Sequence, residues 1–156
     1  MSPEEFTATY RQLLPQITKY LARRVSPSDV EEIASRIFEI AWLKRTQAPK
    51  GFELPWLYRI AGYVVANHRR SENTKASFLL GFRPIDSSPS AEEIAISDLA
   101  LSEAWAKLTP AERLVISLSA FEGLDNPSAA ITLEISTNAF ALRLSKAKAK
   151  LRKLLS

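Results

Sequence analysis

The chain has no cysteine, a single histidine (His68) and only 4 glycines in 156 residues. Without cysteine there is no disulfide scaffold, no thiolate zinc site and no thiol nucleophile. One histidine rules out a His-rich metal site and leaves a Ser-His-Asp triad as a formal possibility only. The glycines form no G-x-x-x-x-G-K or G-x-G-x-x-G run, so the usual phosphate-cradling loops are missing. Residues 1–10 lack the apolar segment of a secretory signal. No stretch approaches the ~20 apolar residues that span a bilayer. What remains is a soluble, cytoplasmic, non-enzymatic protein with no cofactor and no metal.

The composition is that of a globular chain, 46% hydrophobic and 24% charged, with a net charge of +4. The charge is unevenly placed. Residues 1–70 hold 11 Lys/Arg against 7 Asp/Glu, residues 71–108 hold 3 against 6, and residues 109–156 hold 7 against 4. Two basic ends therefore flank an acidic middle. Basic blocks suit a polyanion such as nucleic acid, and ordinary solvated helix faces would look the same.

Helical patterning covers both ends. Ser2-Pro3-Glu4-Glu5 is a start signal, with a Ser cap, Pro at the first helical position and Glu three residues after the cap. Phe6, Tyr10, Leu14, Ile17 and Leu21 follow at helical spacing, and Pro15 should kink or split that run. Ser26-Pro27-Ser28-Asp29 repeats the signal before a second helix. Val30, Ile33, Ala34, Ile37, Phe38 and Ala41 form its inner face. A loop from about Arg45 to Leu54 contains Pro49 and Gly51. Pro55 opens a third helix, with Leu57, Ile60, Ala61 and Val64 inward, ending at Asn67-His68-Arg69-Arg70. Between Ser71 and Ser97 the periodicity fails, and a Pro- and Ser-rich acidic tract reads as a linker. Its one apolar cluster, Phe78 to Phe82, is expected to dock on a neighbouring domain, the alternative being an anchor for a partner.

Leu101, Ala104, Trp105 and Leu108 begin a second helical block. Thr109-Pro110-Ala111-Glu112 is a capping box, Gly123 a natural helix stop, Asn126-Pro127 the start of a short helix ending near Leu133, and Ser136 the cap of a long last helix. A short helix, a tight turn and a longer helix make a helix-turn-helix candidate. Phe140, Leu144, Ala147, Leu151 and Leu154 bury the last helix. Arg143, Lys146, Lys150 and Lys153 form a second stripe, with Lys148 and Arg152 beside it. Residues 137–156 hold 6 basic and no acidic side chains. That exceeds what the helix dipole favours at a C-terminus and suits phosphate contact. The outward positions of the first turns are Asn138, Leu142 and Ser145. Asn can pair with adenine and Leu can touch a thymine methyl.

In this order the segments resemble an extracytoplasmic function (ECF) sigma factor of the sigma-70 family. Asp29-Val30-Glu31-Glu32-Ile33-Ala34 through Phe38 to Trp42 is similar to the helix that binds the polymerase clamp helices. Pro55-Trp56-Leu57-Tyr58-Arg59-Ile60-Ala61 through Asn67 to Arg70 is similar to the −10 element helix. Leu108 to Arg113, Glu122-Gly123-Leu124 and Ser136 to Leu155 are similar to region 4 with its −35 helix-turn-helix. The resemblance implies an all-α fold of two small helical domains joined by a flexible linker. Region 2, of three or four helices, would span residues 1–72, the linker 73–98 and region 4 99–156. It implies that Glu31, Glu32, Ser35, Arg36 and Glu39 meet core RNA polymerase. The loop with Lys50 and Phe52 would hold a flipped base, and Trp56, Arg59, Asn67, Arg69 and Arg70 would contact −10 DNA. Thr137, Asn138, Leu142, Arg143, Ser145 and Lys146 would contact −35 DNA. The implied partners are the clamp helices and flap of core RNA polymerase, promoter DNA and an anti-sigma factor, with no membrane insertion.

Three positions leave the family pattern. Glu134 stands where the turn glycine is usual and implies a strained or altered turn. Ala141 stands where lysine is common, and Leu142 replaces a small polar residue, so −35 recognition is unusual or weaker than normal. The alternative is a helix-turn-helix regulator acting without the polymerase. It has no need of a Pro-Trp-Leu-Tyr-Arg helix beside a Lys-containing loop. An enzyme is disfavoured because no acid, base and nucleophile converge. Asp29, Glu31 and Glu32 sit near a helix start, where solvated carboxylates are ordinary, and His68 reads as solvated or phosphate-facing.

Overall fold

Ser2 opens α1 (Pro3–Ala22) with a complete capping box. Its hydroxyl accepts from the Glu5 N–H while the Glu5 carboxylate accepts from the Ser2 N–H. In this computed structural model, which describes residues 2–80, 86–94 and 96–156, α1 runs through Pro15 without a break. The expected split does not occur. Pro15 is exposed, so its ring meets solvent. Tyr10 on one side of it and Ile17, Tyr20 and Leu21 on the other are buried in one core. Burial of about 1.5–3 kcal/mol for each such side chain outweighs the ~3 kcal/mol of an interior proline.

The second start signal also differs from expectation. Ser26 makes no backbone cap. Its hydroxyl donates to the Asp29 carboxylate at 2.8 Å, and Pro27–Asp29 forms a 3-10 turn before α2 (Val30–Leu43). Ile33, Ala34, Ile37 and Ala41 are buried, as the spacing predicts. α3 (Glu53–Leu80) begins two residues before Pro55 and continues past Arg70, so the boundary expected at residue 72 falls inside a helix. Its expected inner face is buried, and so are Trp56, Tyr58 and Val65. One stripe cannot account for that width. α3 packs on α1 and α2, and also on the helix Asn126–Leu133 of the second half. The side chains of Phe78 to Phe82 lie outside the described residues.

Residues 86–94, within the stretch read as a linker, are packed. Ser88, Pro89 and Ala91 are buried, and the Trp105 indole donates to the Pro89 carbonyl at 2.9 Å. α4 (Leu99–Lys107) is capped by Asp98 and α5 (Pro110–Ala120) by the expected Thr109–Glu112 box. Gly123, at φ +69°, turns the chain toward α6 (Asn126–Leu133), and Ser136 caps α7 (Thr137–Leu155). The architecture is all-α, in two helical domains, with no strand among the described residues. α1–α3 enclose one core. α4–α7 enclose another, around Trp105, Leu118, Phe140 and Leu144, and Leu124 touches both.

Candidate nucleic-acid interface

The turn between α6 and α7 is built on Glu134. Its backbone lies at φ 58°, ψ 41°, and it is the one non-glycine residue with positive φ among those described. The Ile135 N–H donates to the Ala130 carbonyl at 3.1 Å, which closes the helix end. This conformation costs an L-residue about 1–2 kcal/mol. The strained turn expected from the missing glycine is thus present.

Beyond the turn, Phe140, Leu144 and Ala147 are buried and fix the rotation of α7. Thr137, Asn138, Leu142, Arg143, Ser145 and Lys146 are all exposed, Leu142 at 56%. The basic stripe is not wholly free. Lys150 donates to Glu112 of α5 at 2.8 Å. Burial raises the Glu112 carboxyl, but the bonds from Lys150 and Thr109 outweigh it and hold the group below the usual carboxylate range. Lys146, Lys148, Arg152 and Lys153 remain exposed around it.

On α2, Glu31, Glu32, Ser35, Arg36 and Glu39 are exposed. Glu31, Ser35 and Glu39 rim a groove with an apolar floor that includes Leu14, Val30, Ala34 and Phe38. Acidic side chains above an apolar trough suit a partner helix with basic flanks.

The residues expected on −10 DNA divide into two groups. Lys50 and Phe52 stand exposed on a loop turned by Gly51 at φ +84°, where the Phe52 N–H donates to the Pro49 carbonyl. Asn67 and Arg70 are exposed. The remaining three are buried or hold partners within this chain. Trp56 is a core residue at 4% exposure, so it cannot stack on a base in this arrangement. Arg59 donates through Nε and Nη2 to the Ile131 carbonyl at 3.1 and 2.6 Å, and its Nη1 lies 3.4 Å from Glu134 Oε1. Arg69 donates to the Asp86 carbonyl and carboxylate and to the Arg24 carbonyl, and lies 3.4 Å from Glu93. His68, expected to be solvated or phosphate-facing, is part-buried with Nε2 3.4 Å from Asp29 Oδ2. It faces a carboxylate instead.

A charged joint connects the halves. The Arg24 side chain is fully buried. It donates to the Ser87 carbonyl at 2.7 Å, the Tyr20 carbonyl at 3.1 Å and the Ser117 hydroxyl at 3.1 Å, and it lies over the Tyr20 ring. Glu122, also buried, sits 3.1 Å from Arg24 and 2.5 Å from Arg23. Glu122 Oε2 lies near the Arg24 guanidinium without an aligned hydrogen bond. Burial pushes the hydroxyls of Tyr20 and Tyr58 up from their ordinary range. A cleft of about 320 Å³ lies between the halves, bordered by Tyr58, Arg59 and Tyr63 on one side and Pro110, Leu133 and Glu134 on the other. Sequence reading does not pair Arg23 with Glu122, 99 positions away. The faint signal is an Arg-Arg pair directly after the apolar stripe of an amphipathic helix, where one of two neighbouring charges falls on the buried side.

Comparison with known proteins agrees with this layout. The family Sigma-70, region 4 matches residues 98–151. The RNA polymerase sigma factor NccH of Alcaligenes xylosoxydans xylosoxydans is 33% identical over 142 residues, which is 84% of this chain and 75% of that protein. Among solved structures, CnrH in complex with the cytosolic domain of CnrY superposes with a TM-score of 0.68 at 21% identity, covering 99% of this chain and 89% of that one. The sigma factor RpoE in complex with the anti-sigma factor NepR from Bartonella quintana gives 0.69 at 19% identity, covering 97% of each chain. These two share the fold. The identity with NccH over most of both chains, together with the region 4 match on the helix-turn-helix, carries the stronger conclusion: the chain belongs to the sigma-70 family, as an RNA polymerase sigma factor of the extracytoplasmic function type.

Proposed function

We propose that this chain is a dissociable specificity subunit that binds core RNA polymerase, reads promoter DNA and helps to open it, with no bond chemistry of its own. The observation that carries the reading is the pairing, in one chain, of an acid-rimmed apolar groove on α2 with a helix-turn-helix whose last helix exposes Asn138, Leu142, Arg143, Ser145 and Lys146. Glu31, Glu32, Ser35, Arg36 and Glu39 dock on the polymerase clamp, and region 4 sits near the flap. The loop with Lys50 and Phe52 receives a base flipped from the −10 region. Flipping costs a few kcal/mol, which an aromatic surface and a basic neighbour offset. Asn67, Arg70 and, once uncovered, Arg59 and Arg69 contact the nearby strand. α7 holds −35 DNA, and the acidic linker passes near the RNA path, where like charge keeps it displaceable.

The domains proposed are residues 1–72, 73–98 and 99–156, the middle one serving as the connection. An anti-sigma factor is a natural partner, since the structural neighbours are CnrH with CnrY and RpoE with NepR. No described helix is long and apolar enough to cross a membrane, in keeping with action in the cytoplasm. A regulator acting without the polymerase would leave the α2 groove without a role.

Charge reversal at Glu31, Glu32 and Glu39 together tests the docking. The variant should keep its helical circular dichroism and lose co-purification with core polymerase. Undiminished co-purification would remove α2 from the interface.

A further inference from the structure

Glu134 combines two features that seldom coincide by accident. Its backbone is left-handed, a conformation glycine takes without cost. Its side chain reaches across to the other domain, where Oε2 accepts from the Tyr63 hydroxyl at 3.0 Å and Oε1 lies 3.4 Å from Arg59 Nη1. The Tyr63 hydroxyl is pushed up from its ordinary pKa, chiefly by this bond. Strained conformations persist where the surroundings hold them. Here the end of α6 and its cap grip α3 at three of four consecutive residues. Ile131 accepts from Arg59, the Thr132 hydroxyl donates to the buried Pro55 carbonyl at 2.8 Å, and Glu134 closes over Arg59 and Tyr63.

Each nitrogen of the Arg59 guanidinium already faces an oxygen of the second domain. Nε and Nη2 are spent on a carbonyl, and Nη1 faces a carboxylate. A guanidinium engages a phosphate through the same atoms. We propose that Glu134 is an autoinhibitory contact: its carboxylate stands in for a DNA phosphate at Arg59 and holds region 4 closed over the −10 face of region 2 in the free protein. The inference rests on the reading of Arg59 as a −10 DNA contact. Glycine at this position would relax the turn and supply no carboxylate, so the departure from the family pattern acquires a use. The Glu134 side chain is 52% exposed and that of Arg59 27%. Water therefore screens the contact, and a modest, reversible interaction is what a displaceable latch requires. An arriving strand must replace one negative group by another, and polymerase docking that separates the domains removes the obstacle.

The cysteine-free chain allows a direct test. Single cysteines at exposed Gln16 on α1 and Lys148 on α7 take a dye pair that reports domain separation in the full chain. Glu134→Gly removes the carboxylate and relaxes the turn, so folding is not threatened. Glu134→Gln keeps the strain and removes only the charge. Both should shift the population toward larger separation, and affinity for short single-stranded DNA should rise about fivefold, the scale of an exposed ion pair. Arg59→Ala in the Glu134→Gly background should cancel that gain. Unchanged separation in both variants, with Arg59→Ala still weakening promoter opening by the holoenzyme, would overturn the autoinhibitory contact alone. Wider separation without any gain in DNA affinity would overturn the assignment of Arg59 to DNA, and the masking with it.

Discussion

α7, proposed as the −35 recognition helix, and α3, proposed as the −10 helix, are presented in opposite ways. On α7 every residue proposed to meet DNA faces solvent, and its apolar stripe alone sets its rotation. On α3 Trp56 is buried, while Arg59 and Arg69 are engaged by carbonyls and carboxylates from elsewhere in the chain. A basic residue on a helix can therefore be a waiting DNA contact or a structural cation, and the neighbouring domain decides which. In α3 the engaging groups come from the end of α6 and its cap Glu134, from Arg24 and from residues 86–93, all outside the helix itself. In α7 the comparable contact, Lys150 with Glu112, lies away from the first turns, where the proposed base contacts sit.

The largest effect should come from the joint that creates this asymmetry. Glu122→Gln leaves Arg24 buried without a counter-charge. Breaking a buried pair from one side costs about 3–5 kcal/mol. The cost falls only on the joined state, because Arg24 can regain water once the domains part. The variant should keep its helicity and show the wider separation of the Gln16 and Lys148 labels. A joined state that survives with unchanged spacing would mean that Arg24 is held by the Ser87, Tyr20 and Ser117 oxygens alone.

Local structure was legible where the signal was local. The boxes at Ser2 and Thr109, the stop at Gly123, the cap at Ser136 and the inner faces of α2 and α7 follow from spacing and cap chemistry within a few residues. The outward face of α7 was legible for the same reason, since rotation from a buried stripe locates it. At Pro15 the split, one of the two outcomes expected, is absent because the core contacts on either side keep α1 continuous. The width of the buried face of α3, the packing of residues 86–94 and the roles of Arg24, Glu122 and Glu134 were not legible, because each depends on a partner from the other half of the chain. Glu134 shows the limit most clearly. Its strained turn could be read from the missing glycine, but its contact with Arg59, 75 positions earlier, could not.

Leu142 sharpens the comparison from the open side. At 56% exposure it contributes little to the core of α7, so its replacement isolates recognition from folding. Asn138 and Ser145 flank it on the same exposed face. Leu142→Ser should weaken holoenzyme binding by about 1 kcal/mol at a −35 site with a thymine in register, the low end for a single base contact. Replacing that thymine by uracil, which lacks the methyl group, should abolish the difference between variant and parent. Equal losses on both templates would exclude the methyl contact. No loss on either, with weaker anti-sigma binding, would assign Leu142 to a protein partner.

The smallest effect concerns what holds α7 against α5. The folded Glu112 carboxyl lies below its ordinary value of 4.5, and that of Asp125, which caps α6 through Ser128, lies below 3.8. A depressed folded pKa means that the native state binds the proton less readily than the unfolded chain. The stabilisation is therefore complete above the ordinary value and is lost as pH falls through the lower, folded one. Both groups belong to the second domain, so mild acid should loosen α5, α6 and α7. Glu112 is partly exposed, and its share should not exceed about 0.5 kcal/mol. Glu112→Gln should accordingly lower the melting temperature slightly at neutral pH, and the gap to the parent should close between about pH 5 and pH 3 as the parent's carboxylate takes its proton. A gap that stays constant across that range would show that the Glu112 charge, and with it the contact to Lys150, does not carry the difference.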